Sequence, residues 1–409
     1  MRILVVTPTY LPIIGGAETA IFEIFRRLAT RHEVRILTPH ISRRDIADWG
    51  AVDQILNDSG TPVHRFHDVL TTGKGAAKRL WEKWIPPLSL SYLPPFIREV
   101  ISFRPDIVNL HYLFPAAPLL SCARWLGIPT VLSLVGRSDV FGVENRLFRY
   151  HRRTMEKAVG KADQATALSR YMVEGLANQQ ELRIIPYGAD IERYNPVVDG
   201  SRLRELLEIP RNALVLFSLQ RLAPVKRVDL IIQAFLLVRK SAPNARLILG
   251  GKGPEEGNLK LLASRLGLED AITFAGYIPE QELPTYLAAA DLFTFSSESE
   301  TFGIVLAQAM AAGKPVVAVR SSCIEEVVTH EQDGLLVPPD NADAFAEAIL
   351  ALLLAPIRRK QLAENARHKA VQRYGWDAIA LEYEQLLTEV TAKGAGGVVQ
   401  PSSQSAAGY

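Results

Sequence analysis

Two cations stand close together after an apolar run. Arg221 and Lys226 follow Leu214 to Leu219 in the order Q-R-L-A-P-V-K-R. A strand that ends in an Arg, with a Lys shortly beyond, places both charges at its carboxyl end, where they suit a diphosphate far better than a core. Two solvated charges on a loop are the plainer alternative. A second constellation lies between Asp291 and Arg320, D-L-F-T-F-S-S-E-S-E-T-F-G-I-V-L-A-Q-A-M-A-A-G-K-P-V-V-A-V-R. Glu300 precedes Phe302-Gly303-Ile304, and Gln308 follows two helical turns on. The first amides of a helix have no partner inside it, so with the helix dipole they favour an anion, and Gly303 allows close approach. A carboxylate beside such an anion is awkward unless it accepts hydrogen bonds from sugar hydroxyls. An acidic loop that merely caps a core helix is the alternative.

These residues need a frame of strand, loop, helix and strand. Leu292, Phe293 and Phe295 read as a short buried strand, Phe302, Val305, Leu306 and Ala309 recur at helical spacing, and Gly313 stops the helix before Pro315 to Val319. The chain opens on the same unit: an apolar run from Ile3 to Thr7, a loop with Gly15-Gly16, an amphipathic helix from about Ala17 to Thr30, and a strand from Glu33 to Thr38. The glycine pair lets backbone N–H groups approach a phosphate or sugar. Further strands run from Asp106 to Leu110, closed by His111, and from Pro129 to Leu134, closed by Gly136, Arg137, Ser138 and Asp139. A lone His at a strand end is more often structural than catalytic. The pattern restarts at Leu214 and continues through Ala245 to Leu249 and the turn Gly250-Gly251-Lys252-Gly253-Pro254.

The bulk numbers agree with two ordinary domains. The chain has 409 residues, 48% hydrophobic and 22% charged, with a net charge of +2 that argues against a dedicated nucleic-acid binder. Cys122 and Cys323 are too few and too far apart for a disulfide framework or a metal site, so a reducing, cytoplasmic setting is expected. The first residues read as a strand rather than a signal peptide, and no apolar run is long enough to span a bilayer. Between residues 74 and 84, Lys74, Lys78, Arg79 and Lys83 interleave with Trp81 and Trp84, a composition that suits the surface of an anionic membrane such as the inner face of the cell membrane. A solvated loop whose tryptophans tuck into the core is the competing reading.

The 291–320 stretch resembles the signature of family-4 retaining glycosyltransferases of the GT-B fold. There a Glu, seven residues and a second Glu flank a Phe-Gly and run into Glu-Ala-Met-Ala-x-Gly-x-Pro-Val-Val. Glu300, Phe302, Gly303, Ala309, Met310, Ala311, Gly313, Pro315, Val316 and Val317 match. Gly15-Gly16-Ala17-Glu18, the 183–196 segment R-I-I-P-Y-G-A-D-I-E-R-Y-N-P, Gly251 to Pro254 and the 275–283 segment A-G-Y-I-P-E-Q-E-L match further family segments.

The resemblance implies an α/β protein with two Rossmann-like doubly wound domains facing each other across a cleft. Residues 1–195 would form the acceptor side and 196–375 the nucleotide-sugar side. A helix, 376–392, would cross back to the first domain ahead of a disordered tail, 393–409. It implies that Arg221, Lys226 and Glu300 are catalytic, and that Gly15, Gly16, Asp139, Gly253, Ile278, Phe302, Gly303, Ile304 and Gln308 bind the donor, with Ile278 near the base. His111 is a candidate for the acceptor side. The implied activity is retaining transfer from a nucleotide-diphosphate sugar, such as a UDP-sugar, to a glycan or lipid-linked acceptor in cell-surface polysaccharide or glycolipid synthesis. Neither a metal nor another cofactor is implied, and no strict Asp-x-Asp motif occurs.

Four departures stand out: Val135 replaces the family's His, Gln308 its second Glu, and Gln220 and Arg227 the glycines around the Arg-Lys pair. Since Gln also hydrogen-bonds ribose hydroxyls, the family pattern implies that Gln308→Glu keeps or improves binding. The alternative is a catalytically degenerate nucleotide-sugar-binding or scaffold protein of the same fold. An epimerase of that fold is a third reading, for which no specific motif is present.

Overall fold

The computed structural model describes residues 1–12, 15–40, 49–66, 89–135, 146–177 and 181–396. Asp139, the 74–84 segment and the tail beyond residue 396 lie outside these. The chain forms two compact units. The first comprises Met1–Ala167, Val173–Ile185 and the residues from Ala380 on; the second comprises Leu168–Met172 and Pro186–Ile379.

In the first unit seven strands pair in parallel: β1 (Arg2–Val6), β2 (Glu33–Pro39), β3 (Val63–Phe66), β4 (Ile107–His111), β5 (Thr130–Leu134), β6 (Gln164–Ala167) and β7 (Leu182–Ile184), in the order β3-β2-β1-β4-β5-β6-β7. In the second unit six strands do the same: β8 (Val215–Leu219), β9 (Arg246–Gly250), β10 (Ile272–Gly276), β11 (Leu292–Phe295), β12 (Val316–Val319) and β13 (Gly334–Val337), in the order β10-β9-β8-β11-β12-β13. Runs such as Val316 to Val319 are apolar at every position because helices cover both faces of such sheets. The strand order reverses between β1 and β4 in one unit and between β8 and β11 in the other, and doubly wound sheets bind ligands beyond the carboxyl ends at such points.

The chain enters the second unit at Pro186 rather than at Asn195-Pro196. Ala189 N–H donates to Tyr374 O at 2.6 Å, and Arg367 Nη1 donates to Ile191 O and Tyr194 O at 3.0 and 2.8 Å, which ties residues 189–194 to that unit's last helices. The short stretch Leu168–Met172 is held there by Glu326, whose carboxylate accepts the Arg170 and Tyr171 amides at 2.8 and 2.9 Å, and by Ser169 Oγ donating to Thr301 O at 2.9 Å. The last helix, Trp376–Gly396, belongs to the first unit from Ala380 on. Glu384 pairs there with Arg31 at 2.6 Å and His32 at 2.7 Å, and Tyr383 packs edge-on to Phe25. Residues 393–396, expected in the tail, continue this helix. The helical run carries on through Gly394 into the Gly-rich segment.

The loops that follow β8, β9 and β10 lie backbone to backbone. Gln220 N–H donates to Gly250 O, Leu222 N–H to Lys252 O and Gly251 N–H to Gly276 O, at 3.2, 3.1 and 2.6 Å. Gly251 has φ +116°, and a Cβ there would lie 2.0 Å from Gln220 O; at Gly253 it would lie 2.0 Å from Leu222 O. We expect Gly251→Ala to cost about 2 kcal/mol or more, a fall of roughly 4–8 °C in the melting of the second unit. Calorimetry on the purified variant checks this, and an unchanged melting profile would show that the loops separate freely.

Candidate functional site

The switch point of the second sheet gathers most of the residues that the sequence singles out. Beyond β8 come Gln220, Arg221 and a single 3-10 turn, Pro224–Lys226; beyond β11 come Ser296 to Glu300 and the helix Ile304–Ala311. Gln220, buried, joins the two strand ends, donating through Nε2 to Ser218 Oγ at 3.3 Å and Ser296 Oγ at 3.0 Å. Ser296 Oγ donates to Lys226 O at 2.7 Å, and Glu298 N–H to Val225 O at 3.0 Å.

Lys226 and Glu300 meet in a direct ion pair, Nζ to Oε1, and Nζ also donates to Ser297 Oγ at 3.2 Å and Ser299 O at 3.3 Å. Glu300 N–H donates to Ser322 Oγ at 3.1 Å, which sets the loop ahead of the helix. Arg221 is exposed, and among the described residues its guanidinium has no ion-pair partner. One cation is therefore held by the site's own carboxylate, and the other is open to solvent.

Arg227 explains one departure from the family pattern. Its backbone sits at φ 48°, ψ 43°, the left-handed region that Gly adopts without cost, as the cap of the helix Val228–Ser241. A non-glycine residue loses about 1 kcal/mol there. Its guanidinium pairs with Asp229 at 3.2 Å, with Glu298 at 2.6 Å and with Asp340, and hydrogen bonds to the three carboxylates hold its pKa above the usual arginine range. An Arg beside two other cations thus contributes little net positive charge to the switch point.

Gly303 caps the helix Ile304–Ala311 at φ 79°, where a side chain is disfavoured. Phe302, expected at the donor, is 2% exposed, its ring edge-on to Tyr187 and Tyr374. Its side chain is core, which leaves only its backbone for a ligand. Gly253 is likewise accounted for by the close packing of its turn. Ile278 is buried beside Gly250. Gln308 is 8% exposed, and its Nε2 donates to Glu280 Oε1 at 3.1 Å and Tyr194 OH at 3.2 Å, while Tyr194 OH also donates to Glu280 Oε1. A Glu at 308 would bring a second carboxylate against Glu280, which weighs against the family-based expectation that Gln308→Glu keeps or improves binding. Glu280 and Tyr194 carry no signal of their own in the sequence, whereas Arg227 and Gln220 show there only as replacements of the family's glycines.

In the first unit, Gly15 is extended and caps the helix Gly16–Leu28, and the buried Glu18 carboxylate lies over it and accepts the Thr9 hydroxyl. Val135 is 6% exposed beyond β5. His111 is not at a surface. It is 2% exposed, Phe25 meets its ring edge-on at 5.9 Å, and neither ring nitrogen has a partner among the described residues. Burial pushes its pKa down to about 3, so the ring is neutral at ordinary pH. As the structure stands, its nitrogens are not exposed to an acceptor. No group of three or more His, Cys, Asp or Glu among the described residues is arranged to hold a metal, and no helix among them is long and apolar enough to cross a membrane.

Two family models match: Glycosyltransferase Family 4 over residues 14–193 and Glycosyl transferases group 1 over residues 201–369. D-inositol 3-phosphate glycosyltransferase 2 of Catenulispora acidiphila is 30% identical over 90% of this chain and 88% of its own. The chain belongs to glycosyltransferase family 4. This glycosyltransferase is also 26% identical to the N-acetyl-alpha-D-glucosaminyl L-malate synthase of Bacillus anthracis, over 93% and 96% of the two chains. It is 28% identical to a GDP-mannose-dependent alpha-(1-6)-phosphatidylinositol monomannoside mannosyltransferase of Mycobacterium tuberculosis, over 94% and 98%. Its fold is that of Anabaena HepE in complex with UDP, with a TM-score of 0.76 at 24% identity over 95% and 100% of the chains. It is also that of the sucrose-phosphate synthase of Thermosynechococcus elongatus, with a TM-score of 0.75 at 21% identity over 96% and 99%. The glycosyltransferase thus has the GT-B fold.

The buried histidine gives a pH signature. An unfolded His takes up a proton near pH 6.5, whereas the folded one resists protonation down to about 3, so stability is lost as pH falls between these values. We expect a loss of roughly 1 kcal/mol per pH unit below about pH 6 from this group. His111→Leu should flatten that slope in urea titrations at pH 6 and pH 4; an unaltered slope would place the proton uptake elsewhere.

Proposed function

We propose that this protein transfers a sugar, with retention, from a nucleotide-diphosphate donor to a hydroxyl of a glycan or lipid-linked acceptor. The observation that carries this reading is the convergence of Arg221, Lys226, Glu300 and the amino end of the helix Ile304–Ala311 at one switch point. The diphosphate gains negative charge as the bond from the sugar's anomeric carbon to the phosphate oxygen breaks. Arg221, Lys226 and the helix amides stabilise that charge. The acceptor oxygen bonds to the same face of the anomeric carbon, and the departing phosphate oxygen takes its proton. Lys226 exchanges Glu300 for phosphate when donor binds, and the released carboxylate accepts sugar hydroxyls. The ribose falls to Gln308 and the base to the loop at Ile278. The first unit carries the acceptor side. Relatives named for GDP-mannose and a neighbour solved with UDP support a nucleotide-sugar donor without choosing the base.

Val135 and the engaged Gln308 favour a second reading, a donor-binding protein without turnover. Incubation with UDP- and GDP-sugars, with and without glycan and lipid extracts, separates the two, and NMR of the product's anomeric proton reports retention. Arg221→Ala with Lys226→Ala should weaken nucleoside diphosphate binding by about 100-fold or more. Glu300→Ala should abolish most transfer while leaving that binding nearly intact. Full affinity in the folded double variant, or undiminished transfer by Glu300→Ala, would overturn these roles; a wild type that binds donor yet transfers to nothing would establish the second reading.

A further inference from the structure

Where the family carries its second Glu, this chain has an amide that is already bonded to a carboxylate from another element. Glu280 lies in the loop after β10, two residues beyond Ile278, and Gln308 lies on the helix after β11. Glu280 Oε1 accepts from Gln308 Nε2 at 3.1 Å and from the hydroxyl of Tyr194. Tyr194 is 1% exposed and Gln308 8%, so two buried donors fix one oxygen of a carboxylate that is itself only partly buried.

We propose that Glu280 is the second carboxylate of the donor site, reading a ribose hydroxyl in place of the acid missing at 308. This rests on the donor site proposed above. An ionised carboxylate has acceptors only, and two oxygens to use. With Oε1 occupied by Gln308 and Tyr194, Oε2 has no partner among the described residues, and neither does Gln308 Oε1. The pair therefore presents two neighbouring acceptors, one of them charged, which matches the two vicinal hydroxyl donors of a ribose. The negative charge has moved from the helix to the loop that also carries Ile278, and Gln308 has become its positioning residue. Glu280, Gln308 and Tyr194 form a set: each donor is chosen for the carboxylate it holds. A purely structural knot between loop, helix and Tyr194 would not need a carboxylate; two neutral partners would hold it as well.

The test compares binding of UDP and GDP with that of their 2′-deoxy and 3′-deoxy counterparts by calorimetry on the full chain, with melting temperatures as the check on folding. We expect the wild type to bind the nucleotide it prefers about tenfold tighter than at least one deoxy counterpart, as one charge-assisted hydrogen bond would give. Glu280→Gln should reduce that preference to about twofold or less while the deoxy nucleotide binds as before. Gln308→Glu alone should weaken the ribonucleotide about tenfold or more by setting two carboxylates together. The exchanged pair, Glu280→Gln with Gln308→Glu, should recover most of the affinity and the preference. A folded Glu280→Gln protein that keeps the wild-type preference overturns the role of Glu280 and leaves the donor site standing, as does an exchanged pair that recovers nothing. A wild type that binds neither UDP nor GDP overturns both readings.

Discussion

The second unit depends on how closely the backbones after β8 and β9 approach. Gly251 and Gly253 have no room for a Cβ because the carbonyls of Gln220 and Leu222 stand 2.0 Å from where one would be. That contact fixes the path of the loop bearing Arg221 and Lys226, and the buried Gln220 then carries the constraint across to Ser296 at the end of β11. Positions are thus set by main-chain packing, and side chains with charge are placed on a frame that does not need them. The Lys226–Glu300 pair is consistent with this: it spans two loops whose course is already determined by backbone and serine hydrogen bonds.

Much of this frame was legible in the sequence because its signals are local. A strand buried on both faces reads as an unbroken apolar run, as in Val316 to Val319, and a switch-point loop reads as polar residues that interrupt two such runs. The helix after β11 was legible from Leu306 and Ala309, though it starts at Ile304 rather than at Phe302, because Gly303 takes a left-handed conformation ahead of it. The limits of the units were less legible. Residues 186–195 read as the end of a first domain, yet Tyr374 and Arg367, far along the chain, hold them in the second.

The site was legible where one residue type performs one task and illegible where a task is shared. Arg221, Lys226 and Glu300 stand out by charge and spacing, but a solvated loop or a capping loop explains them equally, and only the family resemblance gives them roles. Phe302, which the resemblance gives to the donor, has its side chain in the core against the rings of Tyr187 and Tyr374. Glu280 was invisible because its meaning comes from Gln308, distant in sequence and remarkable in isolation only as a substitution. Arg227 shows the converse: at a position that the family gives to glycine, an arginine sits in the left-handed region and pairs with three carboxylates.

The final helix has a consequence for the order in which the protein can be made. Tyr383, Leu386, Leu387 and Val390 are buried, and Glu384 closes on Arg31 and His32, so the first unit takes part of its packing from residues translated after the second unit. Domains usually form as they leave the ribosome, amino-terminal first. Here the strands of the first unit emerge early without the packing of Tyr383, Leu386, Leu387 and Val390, while the second unit, apart from Leu168–Met172, is continuous in the chain. Completion of the first unit therefore waits for residues 380–396, which follow the whole of the second unit in the chain.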